Sequence, residues 1–285
     1  SPTRRSSDLK VALLVSTLNN PFFVDLRDGA QAAAKDLGVD LMVSDAQNDS
    51  STQQNQAQNA QSQGAKAVII NPVDSDAASP AVAPLLSSSL PVISVDRSVT
   101  GEDVTSHIAS DNVAGGAQAA DELAKAVGEK GKVIILQGTP GAASTRDRGD
   151  GFKKEIKKYS GIEVVAEQTA NFDRAEALDV TTNLMQSNPD VVGIYAENDE
   201  MALGAIQSLG SKAGADVKIF GFDGTEDGLK AVSNGTMVGT IAQQPKELGK
   251  KAVEAAVKAI KGESVEKTES IEVKTVTKGN VADFQ

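Results

Sequence analysis

Residues 9–23 read LKVALLVSTLNNPFF, an apolar run at 11–15 that leads directly into Asn19, Asn20, Pro21, Phe22 and Phe23. Amides both donate and accept hydrogen bonds, and aromatic rings offer flat apolar faces. Together they suit a small guest that carries several hydroxyls and an apolar C–H face. The arrangement recurs along the chain. Further apolar runs end in Asn71-Pro72, Asp96-Arg97, Arg146 and Arg148, Asn171-Phe172, Glu197-Asn198-Asp199, Phe222-Asp223-Gly224 and Ala242-Gln243. Asp accepts from two hydroxyls, Arg donates through a planar fork, and Asn or Gln does both. Enclosed groups of this kind need partners. A polyhydroxylated molecule supplies them, whereas an analogue lacking one hydroxyl leaves a group stranded.

Each cluster also has a plainer use. Asn-Pro and Asp-Gly form turns, two Phe at a helix start can staple it, and an exposed Asp-Arg pair contributes little. Their common position at strand ends, with four of the seven Phe residues among them, favours a shared binding role.

The elements that carry these clusters follow from hydrophobic patterning. Short apolar runs lie at 11–15, 41–43, 67–70, 92–95, 133–136, 164–165, 191–195 and 219–222. Most are continuous rather than alternating, as in parallel strands buried on both faces. Amphipathic stretches separate them. One is expected as a helix over 24–37, closed by Gly38. Another is expected over 247–260, with Leu248, Ala252, Val253, Ala256, Val257 and Ile260 on one face and Gly262 beyond its end. Such alternation predicts an α/β fold with parallel sheets. The series opened by Lys10-Val11 repeats from Lys132-Val133, and AVIINPVDSDA at 67–77 is answered by VVGIYAENDEMA at 191–202. Two similar halves are therefore expected. In open parallel sheets ligands bind beyond the carboxyl ends of the strands, so halves that face each other would line one cleft with these clusters.

Composition narrows the function. The 285 residues are 40% hydrophobic, enough for a sizeable core, and the formal net charge is −11. That charge opposes nucleic-acid binding, which needs a basic face. The absence of Cys excludes disulfides, thiolate metal sites and Cys nucleophiles. No apolar run approaches the roughly 18 residues of a membrane span. Residues 1–8, SPTRRSSD, carry no apolar h-region and are expected to be a disordered or cloning-derived leader.

The segments STLNNPFF, INPVDSDA, SHIASDN, RDRGDGF, NFDRA, NDEMALGA, GFDGT and TIAQQP, spread over residues 9–275, are similar to those of the bacterial ribose-binding proteins. These are periplasmic solute receptors of sugar ABC importers. The resemblance implies an α/β fold of the type I periplasmic binding proteins: two Rossmann-like lobes with parallel sheets, joined by a three-segment hinge. It implies one lobe from 9–110 plus 244–272 and the other from 111–243 plus 273–285. The crossovers would fall near Ser110-Asp111-Asn112, Gln243-Gln244-Pro245 and Glu272-Val273.

Residue by residue, the resemblance assigns a ribose site. Asn20, Phe22 and Phe23 match the first loop, with both rings against the sugar. Asn71 matches an amide partner, and Asp96 and Arg97 the acid–guanidinium pair on the ring and anomeric oxygens. Arg148 and Phe172 match the arginine and opposing ring of the second lobe. Asn198, Asp223 and Gln243 match the remaining hydroxyl partners. The implied partners are D-ribose or a similar monosaccharide and the membrane permease of a sugar ABC importer, with a chemotaxis receptor as a further candidate. A monomer is implied, in the periplasm or tethered to the outer face of the cell membrane. No cofactor, metal, catalytic residue or nucleic-acid partner is expected.

Other readings rank lower. A carboxylate pair for glycoside hydrolysis is conceivable, but the lone His107 sits in the strand-like TSHIAS and no Ser occupies a G-x-S-x-G elbow. The loop GTPGAAS at 138–144 lacks the G-K-[ST] of a phosphate loop. DGTEDG at 223–228 opens like a calcium loop, but its twelfth position is Asn234 instead of Glu. A sugar-responsive repressor shares the fold, yet the first strand begins too early for a preceding helix-turn-helix. A galactose/glucose receptor typically stacks its sugar on Trp, which this chain lacks. A receptor for allose, allulose or another pentose remains the alternative to ribose.

Overall fold

The computed structural model describes residues 9–285, so the expectation for residues 1–8 lies outside the described residues. The chain runs β1 (Lys10–Val15), α1 (Pro21–Leu37), β2 (Asp40–Asp45), α2 (Ser50–Ser62), β3 (Ala67–Ile70), α3 (Ser79–Ser87), β4 (Val92–Val95) and β5 (Ser106–Ser110). There follow α4 (Asn112–Ala126), β6 (Lys130–Gln137), α5 (Ala143–Ile156), β7 (Gly161–Thr169), α6 (Arg174–Ser187), β8 (Val191–Ala196) and α7 (Asp199–Leu209). The chain ends with β9 (Lys218–Phe220), α8 (Glu226–Asn234), β10 (Gly239–Ala242), α9 (Pro245–Ile260), β11 (Thr268–Ile271) and β12 (Lys274–Thr277).

Two compact units divide the chain. The first contains the residues up to Ser110, Gly141–Ala143 and Gln244–Ile271; the second contains Asp111–Pro140, Ser144–Gln243 and Glu272–Gln285. The first unit's sheet has the order β11-β5-β4-β3-β1-β2, all parallel. The second has the order β12-β10-β9-β8-β6-β7. Its strands are parallel except for β12, which runs antiparallel to β10. The expected parallel sheets are thus present, with this one antiparallel edge pair added. A four-residue strand at the sheet edge can pair antiparallel without disturbing the buried strands.

Burial explains the continuous apolar runs. In β1, Val11, Leu13 and Val15 pack into one cluster with α1 and α9, whereas Ala12 and Leu14 point to the opposite face, toward α2 and α3. Period-two alternation therefore sends successive side chains into two separate cores. In β6, Ile134 and Leu136 face the cluster that includes residues of α6–α8, while Val133 and Ile135 face α4 and α5.

Several boundaries differ from expectation; β2, β6 and β7 extend beyond their apolar runs at 41–43, 133–136 and 164–165. The helix expected over 24–37 begins at Pro21, because Asn20 adopts extended backbone and its side chain accepts from Phe22 N. Pro then occupies the first turn, where its missing N–H costs nothing. The helix expected over 247–260 likewise begins at Pro245. The run 219–222 stops being strand at Phe220, leaving Phe222 beyond the sheet edge. His107 lies within β5 as a strand residue, its Nδ1 2.6 Å from Ser94 Oγ. Burial lowers its pKa.

Candidate functional site

In the first unit, the expected site residues lie beyond the carboxyl ends of β1, β3 and β4. Asn20 follows β1 and caps α1, with Oδ1 accepting from Phe22 N at 3.0 Å. The Phe22 and Phe23 rings meet edge to face, their centroids 5.2 Å apart, and both are buried. Asn71 follows β3 and is fully buried. Its Oδ1 accepts from Ser16 N at 3.1 Å and Ser16 Oγ at 2.6 Å, and its Nδ2 donates to Val95 O at 3.2 Å. The Asn71 amide thereby ties together the ends of three neighbouring strands, a bracing role that the sequence did not reveal.

Asp96 follows β4 in left-handed backbone, φ 68°. Arg97 then reaches back to the loop after β3, donating from Nη1 to Pro72 O at 3.2 Å and Val73 O at 3.0 Å. Its guanidinium carbon lies 5.5 Å from the centroid of the Phe23 ring. A charged fork is thus laid over a ring and fixed by backbone carbonyls.

The second unit repeats the scheme. Arg148 projects from α5 and is buried. Its Nε donates to Asn112 Oδ1 at 2.9 Å and its Nη1 to Glu197 O at 2.7 Å. Its guanidinium carbon lies 4.0 Å from the Phe222 ring centroid and 5.8 Å from that of Phe172. Phe172 follows β7 at φ 57°, with its ring packed on Gly138, where a Cβ would overlap it. Asn198 follows β8 and caps α7, accepting from Met201 N at 2.9 Å. Asp223 follows β9 at φ 128°. Its Oδ1 accepts from Gln243 Nε2 at 2.5 Å and lies 3.6 Å from Arg148 Nη1. Gln243 follows β10.

Asp96, Phe172 and Asp223 all hold backbone conformations that L-residues rarely adopt. Such strain persists only where the surroundings impose it, and it clusters at ligand sites. In the first unit Arg97 lies over Phe23 at the carboxyl edge of the sheet, next in sequence to Asp96, and in the second Arg148 meets both Phe222 and Asp223.

Sequence reasoning missed the supports. Asn112, Phe222 and the Glu197 carbonyl anchor Arg148, and two buried carboxyls underlie the loops. Glu197 Oε1 accepts from Gly138 N at 2.8 Å, while Oε2 has no hydrogen-bond partner among the described residues. Burial pushes this carboxyl up to about 8, against the opposing effects of the Gly138 N–H and the Arg148 charge. Asp199 is fully buried, and burial pushes it up to about 6 even though Thr240, Thr225 and Gly224 all donate to it. Both stand in the Glu197-Asn198-Asp199 cluster, but a carboxylate at a helix start reads first as a capping residue. Among the described residues, no group of three or more His, Cys, Asp or Glu is placed to hold a metal ion, and no helix is long and apolar enough to cross a membrane.

Comparison with known proteins adds the family context. A family model described as a periplasmic binding protein domain matches residues 11–264. The ribose import binding protein RbsB of Salmonella typhimurium is 48% identical over 268 residues, covering 94% of this chain and 90% of that protein. The protein of the same name from Bacillus subtilis is 42% identical over 277 residues, covering 97% of this chain and 90% of that protein. A solved ABC transporter periplasmic solute binding protein from Actinobacillus succinogenes, with bound D-allose, matches at a TM-score of 0.91 and 33% identity, covering 96% of this chain and 99% of that one.

Proposed function

The chain belongs to the periplasmic binding protein family, and we propose on that premise that it captures D-ribose outside the cytoplasm and delivers it to the permease of a ribose ABC importer. One observation supports the reading: in each unit an Arg guanidinium lies over a Phe ring beside an Asp. Arg97 lies over Phe23, next in sequence to Asp96, and Arg148 lies over Phe222 and 3.6 Å from Asp223. Carboxylate and guanidinium match the donor and acceptor sides of sugar hydroxyls, and a nearby ring covers C–H surface. The names of the RbsB relatives support ribose as the guest.

In this reading these residues contact the sugar, and Phe22, Phe172, Asn20, Asn198 and Gln243 complete its contacts. The ligand favours a closed form only through contacts it makes better there. No bond of the sugar changes. The protein acts as a monomer in the periplasm, and its liganded form is what the permease, and a chemotaxis receptor where one is present, would read. A second reading has its own support: the structural relative holding D-allose shows that this fold also accommodates a sugar one carbon larger.

Thermal unfolding in a panel of D-ribose, D-allose, D-xylose and D-glucose tests the choice. Ribose is expected to raise Tm most, through preferential binding to the folded state. A larger shift with allose would move the assignment to the second reading. No shift with any sugar would overturn the site.

A further inference from the structure

Asp199 has no exposed surface, yet its backbone N–H and its carboxyl together hydrogen-bond to both sides of one other residue. The Asp199 N–H donates to Phe222 O at 2.7 Å. Its Oδ2 accepts from Gly224 N at 3.0 Å, Thr225 N at 2.9 Å and Thr225 Oγ1 at 3.2 Å. Its Oδ1 accepts from Thr240 Oγ1 at 2.7 Å, on β10. The residue between these anchors is Asp223, whose φ of 128° belongs to the region that favours glycine. Asp223 also donates its N–H to Ile241 O at 2.7 Å and accepts from Gln243 N at 3.1 Å. Space for the Asp199 carboxyl is left by two glycines, since a Cβ at Gly221 or Gly228 would overlap it.

Helix capping does not account for this arrangement, because Asn198 already caps α7. A buried carboxyl is also a costly way to close a loop unless its bonds serve a geometry that an apolar side chain cannot hold. We propose that Asp199 is a positioning residue that holds the strained Asp223 backbone, through Phe222, Gly224 and Thr225, in the conformation that aims the Asp223 carboxylate at the sugar. The proposal rests on the reading of Asp223 as a sugar partner. It adds that affinity depends on a side chain one shell behind the site.

The test combines binding with amide exchange. Asp199→Ala is expected to lower ribose affinity about tenfold or more, as the loop relaxes away from the strained conformation. Asp199→Asn is expected to stay within about threefold of the parent. Its amide oxygen still accepts from Gly224 and Thr225, and its Nδ2 replaces the acceptor of the Thr240 hydroxyl with a donor to that same oxygen. In an Asp223→Asn background, Asp199→Ala is expected to add little further loss, the signature of two residues acting as a unit.

Parental affinity in Asp199→Ala, full additivity in the double variant, or failure of Asn to rescue would each overturn the proposal. Where Asp199→Ala does not fold, Thr240→Val removes the Oδ1 partner alone, and a several-fold loss of affinity is expected; no loss would count against the proposal. Hydrogen exchange at the Gly224 and Thr225 amides needs no ligand, which separates this proposal from the choice of sugar. Protection in the parent, loss in Asp199→Ala and recovery in Asp199→Asn are expected. Unchanged protection would overturn the positioning role even if ribose binds, and absence of ribose binding with this exchange pattern would fault the functional reading instead.

Discussion

The Arg148 guanidinium carbon lies 4.0 Å from the centroid of the Phe222 ring. Two of its N–H groups are already directed, one to Asn112 Oδ1 and one to the carbonyl of Glu197. The protein's own groups therefore hold the side chain in place. Ordering a long side chain on binding costs about 0.5–1.5 kcal/mol, a cost that preorganisation removes from the binding step. Arg97 follows the same rule in the other unit, held by Pro72 and Val73 carbonyls over Phe23.

Arg148→Ala is expected to weaken ribose binding by about 2–5 kcal/mol, because it strands partners in a buried site. Arg148→Lys is expected to recover only part of that loss, since an ammonium cannot reproduce the planar fork. Calorimetric affinities of the two variants check this. Near-parental affinity in Arg148→Ala would remove the residue from the site.

Phe22→Ala is expected to cost about 1–3 kcal/mol of binding through lost ring contact. Phe22 is also a core residue of the first unit, so stability falls as well. Phe22→Leu separates the two effects: it keeps most of the apolar volume, and Tm is expected to change little while affinity still drops. Parental affinity in Phe22→Leu would show that the ring makes no contact with the sugar.

Much of this organisation was legible in the residues. Continuous apolar runs marked β1, β3, β4, β6 and β8, since strands covered on both faces tolerate no polar alternation. The clusters at their ends marked the carboxyl edge of each sheet. Less visible were β5, where Ser106 and Ser110 are buried polar residues, and the short β10–β12. Their burial comes from tertiary pairing that local pattern does not encode. The bracing role of Asn71 was hidden for a similar reason: its partners, Ser16 and Val95, are distant in sequence and converge only when three strands align. The positive φ of Phe172 and Asp223 was equally hidden, because neither residue type advertises it.

Glu197 predicts a pH dependence of stability. Burial raises its folded pKa from 4.5 to about 8, so the folded state holds this proton more tightly than the unfolded chain does. The resulting stabilisation is fully present below the unfolded value and is lost as pH rises through the folded one. Tm is therefore expected to decline between about pH 5 and about pH 9. Glu197→Gln retains an acceptor for Gly138 N and cannot ionise, so it is expected to flatten that decline. An equally steep decline in Glu197→Gln would assign the titration elsewhere.

Ligand linkage supplies a fourth expectation. Ribose at about one hundred times its Kd is expected to stabilise the folded chain by about 2.7 kcal/mol, with Tm rising further as concentration increases. Glucose at equal concentration is expected to give a much smaller rise. Equal shifts would indicate a cleft indifferent to hydroxyl number and placement.

The most direct measurement is isothermal titration of the purified chain with D-ribose, followed by D-allose under the same conditions. The account predicts saturable one-to-one binding of ribose, tighter than that of allose, and its loss in both Asp96→Ala and Arg148→Ala. Absence of ribose binding in a folded protein, or full retention of it in those two variants, would contradict the central claim.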